Sequence, residues 1–256
     1  MTEAISHVEG SILVSQTDAA VLCGGLGTRL RPVVPDRPKA MVEIYGRPFL
    51  EILVEYLARS GFRRIIMCVG FKAEAIVSYF EQKRFAFVDI IFNFERTLAG
   101  TAGAIAEARP LFLSERIVVL NGDTFCAVDY NDLLKKHTAR GSVATLVVCR
   151  APDRSDYGSV KMDRQSIVRN FAEKTSGGSG WINAGIYVLS LGAIEQFPPE
   201  RPLSMERDIL PNLASCGKLW AYKTSGPFFD IGTPERYAKA RRELRLASPG
   251  TSCLKR

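Results

Sequence analysis

Histidine is almost missing from this chain: His7 and His137 are the only two in 256 residues. Neither sits in a recognisable motif, so chemistry that needs an imidazole base or a histidine-rich metal cluster is not expected. Cysteine is present but not patterned. Cys23, Cys68, Cys126, Cys149, Cys216 and Cys253 are scattered, with no Cys-x-x-Cys spacing. That excludes a zinc finger and a disulfide framework, and it fits a reducing, cytoplasmic setting. Most of them lie in or beside apolar runs, where cysteine acts as an inert small hydrophobe. No apolar run is long enough to cross a bilayer. The N-terminus lacks a basic segment followed by an apolar one, so no secretory signal is expected. Internal repeats, hexapeptide arrays and the aromatic pattern of an RNA-binding surface are also absent.

What remains is an ordinary globular composition, 46% hydrophobic and 24% charged, long enough for one large α/β domain with a sizeable core. The net charge of +7 suits anionic ligands. Much of the excess sits near the C-terminus, in Arg236, Lys239, Arg241, Arg242, Arg245, Lys255 and Arg256. It reads as a solvated helix face followed by a tail rather than a nucleic-acid surface. Residues 1–18 read as a flexible lead-in, 19–246 as one domain and 247–256 as a flexible tail. Strand and helix signals alternate from Ala19 to about Gln82. Apolar runs at Ala19–Cys23, Arg64–Val69, Phe87–Asn93 and Ile117–Leu120 are strands, and Phe49, Ile52, Leu53, Tyr56 and Leu57 recur at helical spacing behind Pro48. The expected fold is a Rossmann-like, mostly parallel sheet flanked by helices on both faces, with ligands beyond the carboxyl ends of the strands. Its first part, about 19–140, would hold a nucleotide, and its second, about 141–246, a second substrate.

The stretch from Ala20 to Pro32 organises the chain. An apolar strand runs into Gly24, Gly25 and Gly27, which let the backbone turn and approach a ligand closely. Such a loop can aim several N–H groups at a phosphate. Arg29 adds a planar donor fork, and Lys39 a mobile point charge. Pro32, Pro35 and Pro38 stiffen the connection. Leu30 stands where a dinucleotide fingerprint needs its third glycine, and no Gly-Lys-Ser/Thr closes a P-loop. The loop therefore reads as a nucleoside triphosphate site of another kind. Downstream, Thr97–Ile105 is dominated by small residues and opens a helix, a second backbone-rich wall suited to a flat base. Ile117–Thr124 delivers Asp123 to the edge of the sheet behind Gly122. A carboxylate beside a triphosphate implies an intervening cation, and magnesium prefers a few carboxylates with phosphate oxygens and water. Leu203–Pro211 reads as a helix start capped by Ser204, with Glu206 and Asp208 in its first turn, a structural feature. Asp230 ends a strand, Thr233 caps and Pro234 opens a last helix.

Gly24–Leu30 with Pro38–Met41 resembles the signature of the sugar-1-phosphate nucleotidyltransferase family, and similar residues extend from Ala19 to Tyr237. The resemblance implies a glycosyltransferase-A-like nucleotidyltransferase fold and an enzyme that joins a nucleoside triphosphate to a sugar 1-phosphate and releases pyrophosphate. Within the family the pattern is most similar to members that pair GTP with D-glycero-α-D-manno-heptose 1-phosphate, in nucleotide-sugar and polysaccharide biosynthesis. It places the nucleotide against Leu22, Gly24, Gly25, Gly27, Thr28, Arg29, Leu98, Gly100, Thr101 and Gly122. It places the sugar phosphate against Gly158, Glu173, Lys174, Asn183 and Gly185, and makes Asp123 and Asp230 the ligands of Mg2+. Arg29, Lys39, Asp123, Lys174 and Asp230 are the implied catalytic set. The chain departs from the family at Ala99 and Ala102, in the base-lining segment. Mannose 1-phosphate with GTP, glucose 1-phosphate with UTP, CTP or dTTP, and a non-catalytic regulatory subunit that senses nucleotide sugar stay open at this point, as does homo-oligomerisation. No nucleic-acid or membrane partner is expected.

Overall fold

The computed structural model describes residues 13–30, 32–95, 97–173 and 177–244. Within the stretch read as lead-in, a 3-10 turn at Val14–Gln16 buries Val14 and runs into β1 (Asp18–Leu22). The glycine-bearing loop follows. A small hairpin of β2 (Glu43–Ile44) and β3 (Arg47–Pro48) then leads into α1 (Phe49–Arg59). The hairpin takes up Pro48, which therefore sits just before the helix rather than in its first turn. Next come β4 (Arg64–Val69), α2 (Ala73–Glu81) and β5 (Asp89–Phe94). These are followed by α3 (Thr101–Ala108), β6 (Arg116–Asn121), β7 (Thr124–Cys126) and α4 (Tyr130–Ala139).

The second part is built from β8 (Ala144–Ala151), β9 (Gly158–Met162), β10 (Val168–Glu173) and β11 (Gly180–Ser190). It continues through α5 (Leu191–Glu195), a five-residue π-helical turn at Met205–Ile209, α6 (Leu210–Ser215) and β12 (Leu219–Lys223). It closes with β13 (Phe228–Asp230) and α7 (Pro234–Glu243).

One mixed sheet carries the molecule, in the order β10-β9-β11-β6-β1-β4-β5, with β8 and β12 continuing from β11. The strands β6, β1, β4 and β5 are mutually parallel. From β11 onward most pairings are antiparallel. The reason is visible in the connections: long crossovers through helices separate the early strands, whereas β9 and β10 are joined by the tight turn Asp163–Ser166. Alternate residues along a strand face opposite layers. Ala19 and Val21 join Ile65, Met67, Val118 and Leu120 under α1, α4 and α7. Ala20 joins Ile66, Cys68, Ile117 and Val119 under α3, α5 and α6. The expected mostly parallel sheet with helices on both faces is what the structure has. The buried Cys23, Cys68, Cys126 and Cys149 are free thiols in that core.

Candidate active site

The glycine loop leaves β1 at the carboxyl edge of the parallel strands. Its start is pinned by Cys23 N–H donating to Cys68 O at 3.0 Å and by Phe71 N–H donating to Gly24 O at 3.0 Å. Leu30 N–H donates back to Gly27 O at 3.0 Å. Between these anchors, the N–H groups of Gly24 to Arg29 donate to no acceptor among the described residues. They are exposed donors of the kind that hold phosphate oxygens. A cavity of about 500 Å3 opens over them. It is lined by Leu22, Gly24, Gly25, Gly27, Thr28 and Arg29, by Leu98, Gly100 and Thr101 from the second wall, and by Lys39, Gly122 and Asp123. Every residue assigned to the nucleotide from the sequence therefore faces one space.

The second wall differs from expectation in one respect. Two of the first N–H groups of α3 do not face the cavity as free donors. Those of Ala102 and Gly103 donate to Leu203 O at 2.9 and 3.1 Å, and Leu203 N–H donates to Ala99 O at 2.8 Å. Gly100 makes that contact possible: its φ is +79°, and a β-carbon there would lie 2.4 Å from Leu203 O. Ala99 and Ala102, the two departures from the family pattern, are both fully buried in this packing.

Glu95, which the sequence did not single out, also lines the cavity. It follows β5, and its carboxylate packs so closely on Gly24 that a β-carbon there would lie 2.2 Å from Oε1. Burial pushes its carboxyl up to about 7, with Glu107 adding to the effect and the Ala99 N–H opposing it. Its only sequence signal was an acidic residue directly after an apolar strand.

The two aspartates meet. Asp230 is the cross-strand partner of Thr124 in the β7–β13 pair, and Ile231 N–H donates to Asp123 O at 3.1 Å. Lys39 forms an ion pair with Asp123 Oδ2. A β-carbon at Gly232 would lie 2.8 Å from Asp230 Oδ1 and 3.5 Å from Lys39 Nζ. The Lys39 ammonium pairs with Asp123 and, like the Asp230 carboxylate, borders Gly232. Burial alone would raise the Asp123 carboxyl; Lys39, with the Thr124 hydroxyl at 3.1 Å, outweighs it and holds the group below the usual carboxylate range. Asp230 accepts from Tyr157 Oη at 2.6 Å and from Arg236 at 3.2 Å. Arg236 also pairs with Asp156 and lies 4.2 Å over the Tyr157 ring. This corrects the expected solvated face of the last helix at one position: Arg236 is only 17% exposed, because the Asp230 carboxylate and the ring draw it inward, whereas Lys239, Arg241 and Arg242 are exposed as expected. A second cavity, about 660 Å3, is bordered by Asp230, Tyr157 and Arg236 together with Trp181 and Phe228.

The carboxylates of Asp123 and Asp230 are hard oxygen donors of the kind a divalent ion takes together with phosphate oxygens and water, in competition with their present partners Lys39 and Arg236. Among the described residues, no cluster of three or more potential metal-ligating side chains exists, so the protein would supply few ligands.

Of the residues assigned to the sugar phosphate, Gly158, Asn183 and Gly185 lie outside the lining of the first cavity. Gly158 begins β9, and a β-carbon on it would lie 3.5 Å from the Asn183 β-carbon. Asn183 and Gly185 lie where β11 changes register against β8, Gly185 with φ +69°. Gly185 packs on Asn121, which leads into Gly122 and Asp123. Glu173 ends β10 opposite Gly158; its side chain and Lys174 lie outside the described residues.

A family model described as "Nucleotidyl transferase" matches residues 18–246. The chain belongs to the nucleotidyl transferase family. A D-glycero-alpha-D-manno-heptose 1-phosphate guanylyltransferase from Campylobacter jejuni is 37% identical over 219 residues, 86% of this chain and 96% of that protein. The crystal structure of HddC from Yersinia pseudotuberculosis, also solved in complex with GMP-PN, matches at 37% identity. Its TM-score is 0.81 over 90% of this chain and 100% of that one. The catalytic subunit beta of a mannose-1-phosphate guanylyltransferase from Drosophila melanogaster is 34% identical over 86% of this chain but 61% of its own length. The nucleotidyltransferase class and fold read from the sequence agree with these relatives. Nucleotidyltransferases of this family generally use a divalent metal. No helix among the described residues is long and apolar enough to cross a membrane.

Proposed function

We propose that this nucleotidyltransferase joins GTP to D-glycero-α-D-manno-heptose 1-phosphate, giving the GDP-sugar and pyrophosphate. The observation that carries the reading is Glu95, whose carboxylate packs beside Gly24 and lines the same cavity as the unbonded amides of Gly24 to Arg29. An ionised carboxylate only accepts hydrogen bonds. The Watson–Crick edge of guanine presents adjacent N1–H and N2–H donors, which match it as a pair. Thymine and uracil flank a single N–H with carbonyl oxygens, which a carboxylate repels. The heptose rests on the relatives alone.

The nucleophile is a phosphate oxygen of the sugar 1-phosphate, anionic near neutral pH, so no general base is required. It attacks the α-phosphorus in line, the bond to the β-phosphate oxygen breaks, and pyrophosphate leaves with the electron pair. No proton moves. The barrier is the approach of one anion to another, so positioning and charge neutralisation do the catalysis. The loop amides and Arg29 hold the departing pyrophosphate. Lys39 neutralises charge at the transferred group, and Lys174 aligns the attacking phosphate. Gly158, Glu173, Asn183 and Gly185 hold the sugar. Asp123 and Asp230 would hold a divalent ion, magnesium in this proposal, which supplies Lewis-acid polarisation and charge neutralisation when bound.

A second reading, mannose 1-phosphate as acceptor with the same GTP, is favoured by the match to mannose-1-phosphate guanylyltransferase at a similar identity. A panel of triphosphates crossed with heptose, mannose and glucose 1-phosphates, scored by pyrophosphate release, separates them. The expected result is highest kcat/KM for GTP with the heptose phosphate. Equal use of UTP would remove the role given to Glu95, and preference for mannose 1-phosphate would replace the acceptor.

A further inference from the structure

We infer that Glu206 is a positioning residue that holds both walls of the cleft, fixing Thr101 on the nucleotide side and, through Tyr187, the Asn183 amide on the acceptor side. The acceptor half of this inference rests on the assignment of Asn183 to the sugar phosphate proposed above. Glu206 lies on the π-helical turn Met205–Ile209, a rare form often found at functional sites.

Its carboxylate gathers hydroxyls from two distant parts of the chain, besides Ser204 Oγ of its own segment, which donates to Oε2 at 3.2 Å. Thr101 Oγ1 donates to Glu206 Oε2 at 3.0 Å across 105 positions. The same hydroxyl accepts from Met205 N–H at 2.8 Å. Tyr187 Oη donates to Glu206 Oε1 at 3.2 Å, and Asn183 Nδ2 donates to Tyr187 Oη at 2.8 Å. Asn183 Oδ1 in turn accepts from Gly185 N–H at 2.8 Å.

The direction of every bond follows from the charge on Glu206. An ionised carboxylate has lone pairs and no proton, so the hydroxyls of Thr101, Tyr187 and Ser204 must all donate to it. Tyr187 then has only its oxygen lone pairs to offer Asn183. The asparagine must turn its NH2 toward Tyr187 and its carbonyl toward Gly185. One N–H and one lone pair of that amide remain for a ligand hydroxyl, in a fixed orientation. Tyr187 is 1% exposed, so no water competes for its hydroxyl. Burial, and the carboxylate beside it, push its phenol well above the usual value, which keeps the donor proton in place. Docking of the segment itself is secured by the Leu203 backbone bonds to Ala99, Ala102 and Gly103. The carboxylate adds direction to a contact already made.

Glu206→Gln tests this, because it preserves shape and removes the acceptor-only character. An amide oxygen can serve one arm, and its NH2 must face the other, where the hydroxyl has to reverse. Steady-state kinetics with GTP and the sugar 1-phosphate would be compared for the wild type, Asn183→Ala, Tyr187→Phe, Glu206→Gln, Glu206→Asp and the Glu206→Gln/Tyr187→Phe pair, with melting temperatures alongside. Tyr187→Phe should raise the acceptor KM about tenfold and leave the triphosphate KM within about twofold. Glu206→Gln should raise both, Glu206→Asp should recover part of the loss, and the double variant should be no worse for the acceptor than Glu206→Gln alone. Wild-type values for both KM in a folded Glu206→Gln protein, or multiplying effects in the double variant, would overturn the inference. Should Glu206→Gln fail to fold, an equal shift of both KM values in Tyr187→Phe does the same. Asn183→Ala separates the two levels. An unchanged acceptor KM there sinks the acceptor assignment and this arm with it, whereas a raised one beside a silent Glu206→Gln sinks only the role of Glu206.

Discussion

The two sides of the cleft are built by different means. The nucleotide side is largely backbone: unbonded amides of one continuous loop, with Arg29 and Lys39 close by in sequence. The side proposed for the acceptor is side chains held by side chains, with Asn183, Tyr187 and Glu206 in series and Asp230 clasped by Tyr157 and Arg236. A loop of one chain segment binds through atoms every residue has, so its design needs only glycine where space is short. A side-chain network binds through groups that must be delivered from distant segments and then oriented. The first kind of site tolerates variation in side chains and fails by backbone strain. The second tolerates backbone adjustment and fails by loss of one polar atom.

That contrast can be broken in order of effect. Asp123→Asn, at the seam between the two sides, should lower turnover about a thousandfold, roughly 4 kcal/mol in the barrier. Pyrophosphate release measures it, and a loss smaller than about tenfold would remove Asp123 from the chemistry.

Acid should next reveal the packing of α4 on β8, where the two parts of the fold join. His137 is buried against Thr145 Oγ1 at 2.8 Å, and burial, with Arg116 nearby, depresses it to about 4. Between the unfolded value near 6.5 and the folded value, the unfolded chain binds the extra proton. Stability is therefore complete above about pH 6.5 and falls as pH drops toward 4, by about 3 kcal/mol in all. Urea titrations across that range should show the slope, and His137→Gln should flatten it.

Gly100→Ala tests failure by backbone. Its β-carbon would collide with Leu203 O in a conformation of positive φ, so a stability loss of about 2–3 kcal/mol is expected, with a raised triphosphate KM. A wild-type melting curve would show that the contact yields easily.

The smallest effect sharpens the base assignment. With its carboxyl at about 7, Glu95 becomes the ionised acceptor as pH rises. The kcat/KM for GTP should rise about tenfold from pH 6 to pH 8, and Glu95→Gln should lose that rise. An identical profile in the variant would assign the ionisation elsewhere.

The same contrast explains what the sequence could tell. The glycine loop, Lys39 and Asp123 were legible because each rests on a short contiguous motif whose spacing carries its chemistry. The strands and α3 were legible from apolar runs and small residues. Asp230 was readable as a turn but needed the family likeness to become a metal ligand, since its neighbour Asp123 lies far away in the chain. Glu95, Glu206 and Arg236 were not read as functional. Each looks like an ordinary charge on a strand end or a helix, and only long-range pairing gives it a role: Thr101 and Tyr187 for Glu206, Asp230 and Tyr157 for Arg236. The lost helix donors at α3 share this cause, because the carbonyl that takes them belongs to Leu203.

The Leu203 carbonyl also makes the cleft electrically lopsided. By accepting from Ala102 and Gly103 it takes up two of the donors that make the positive pole of this helix. The wall bearing Gly100 and Thr101 draws anions less, and the Glu95 carboxylate stands between it and the start of the loop at Gly24, while the amides further along the loop keep their positive pull. A molecule with a neutral, donor-rich head and a polyanionic tail can settle there only one way round. A substrate threaded backwards would meet repulsion at one end and indifference at the other.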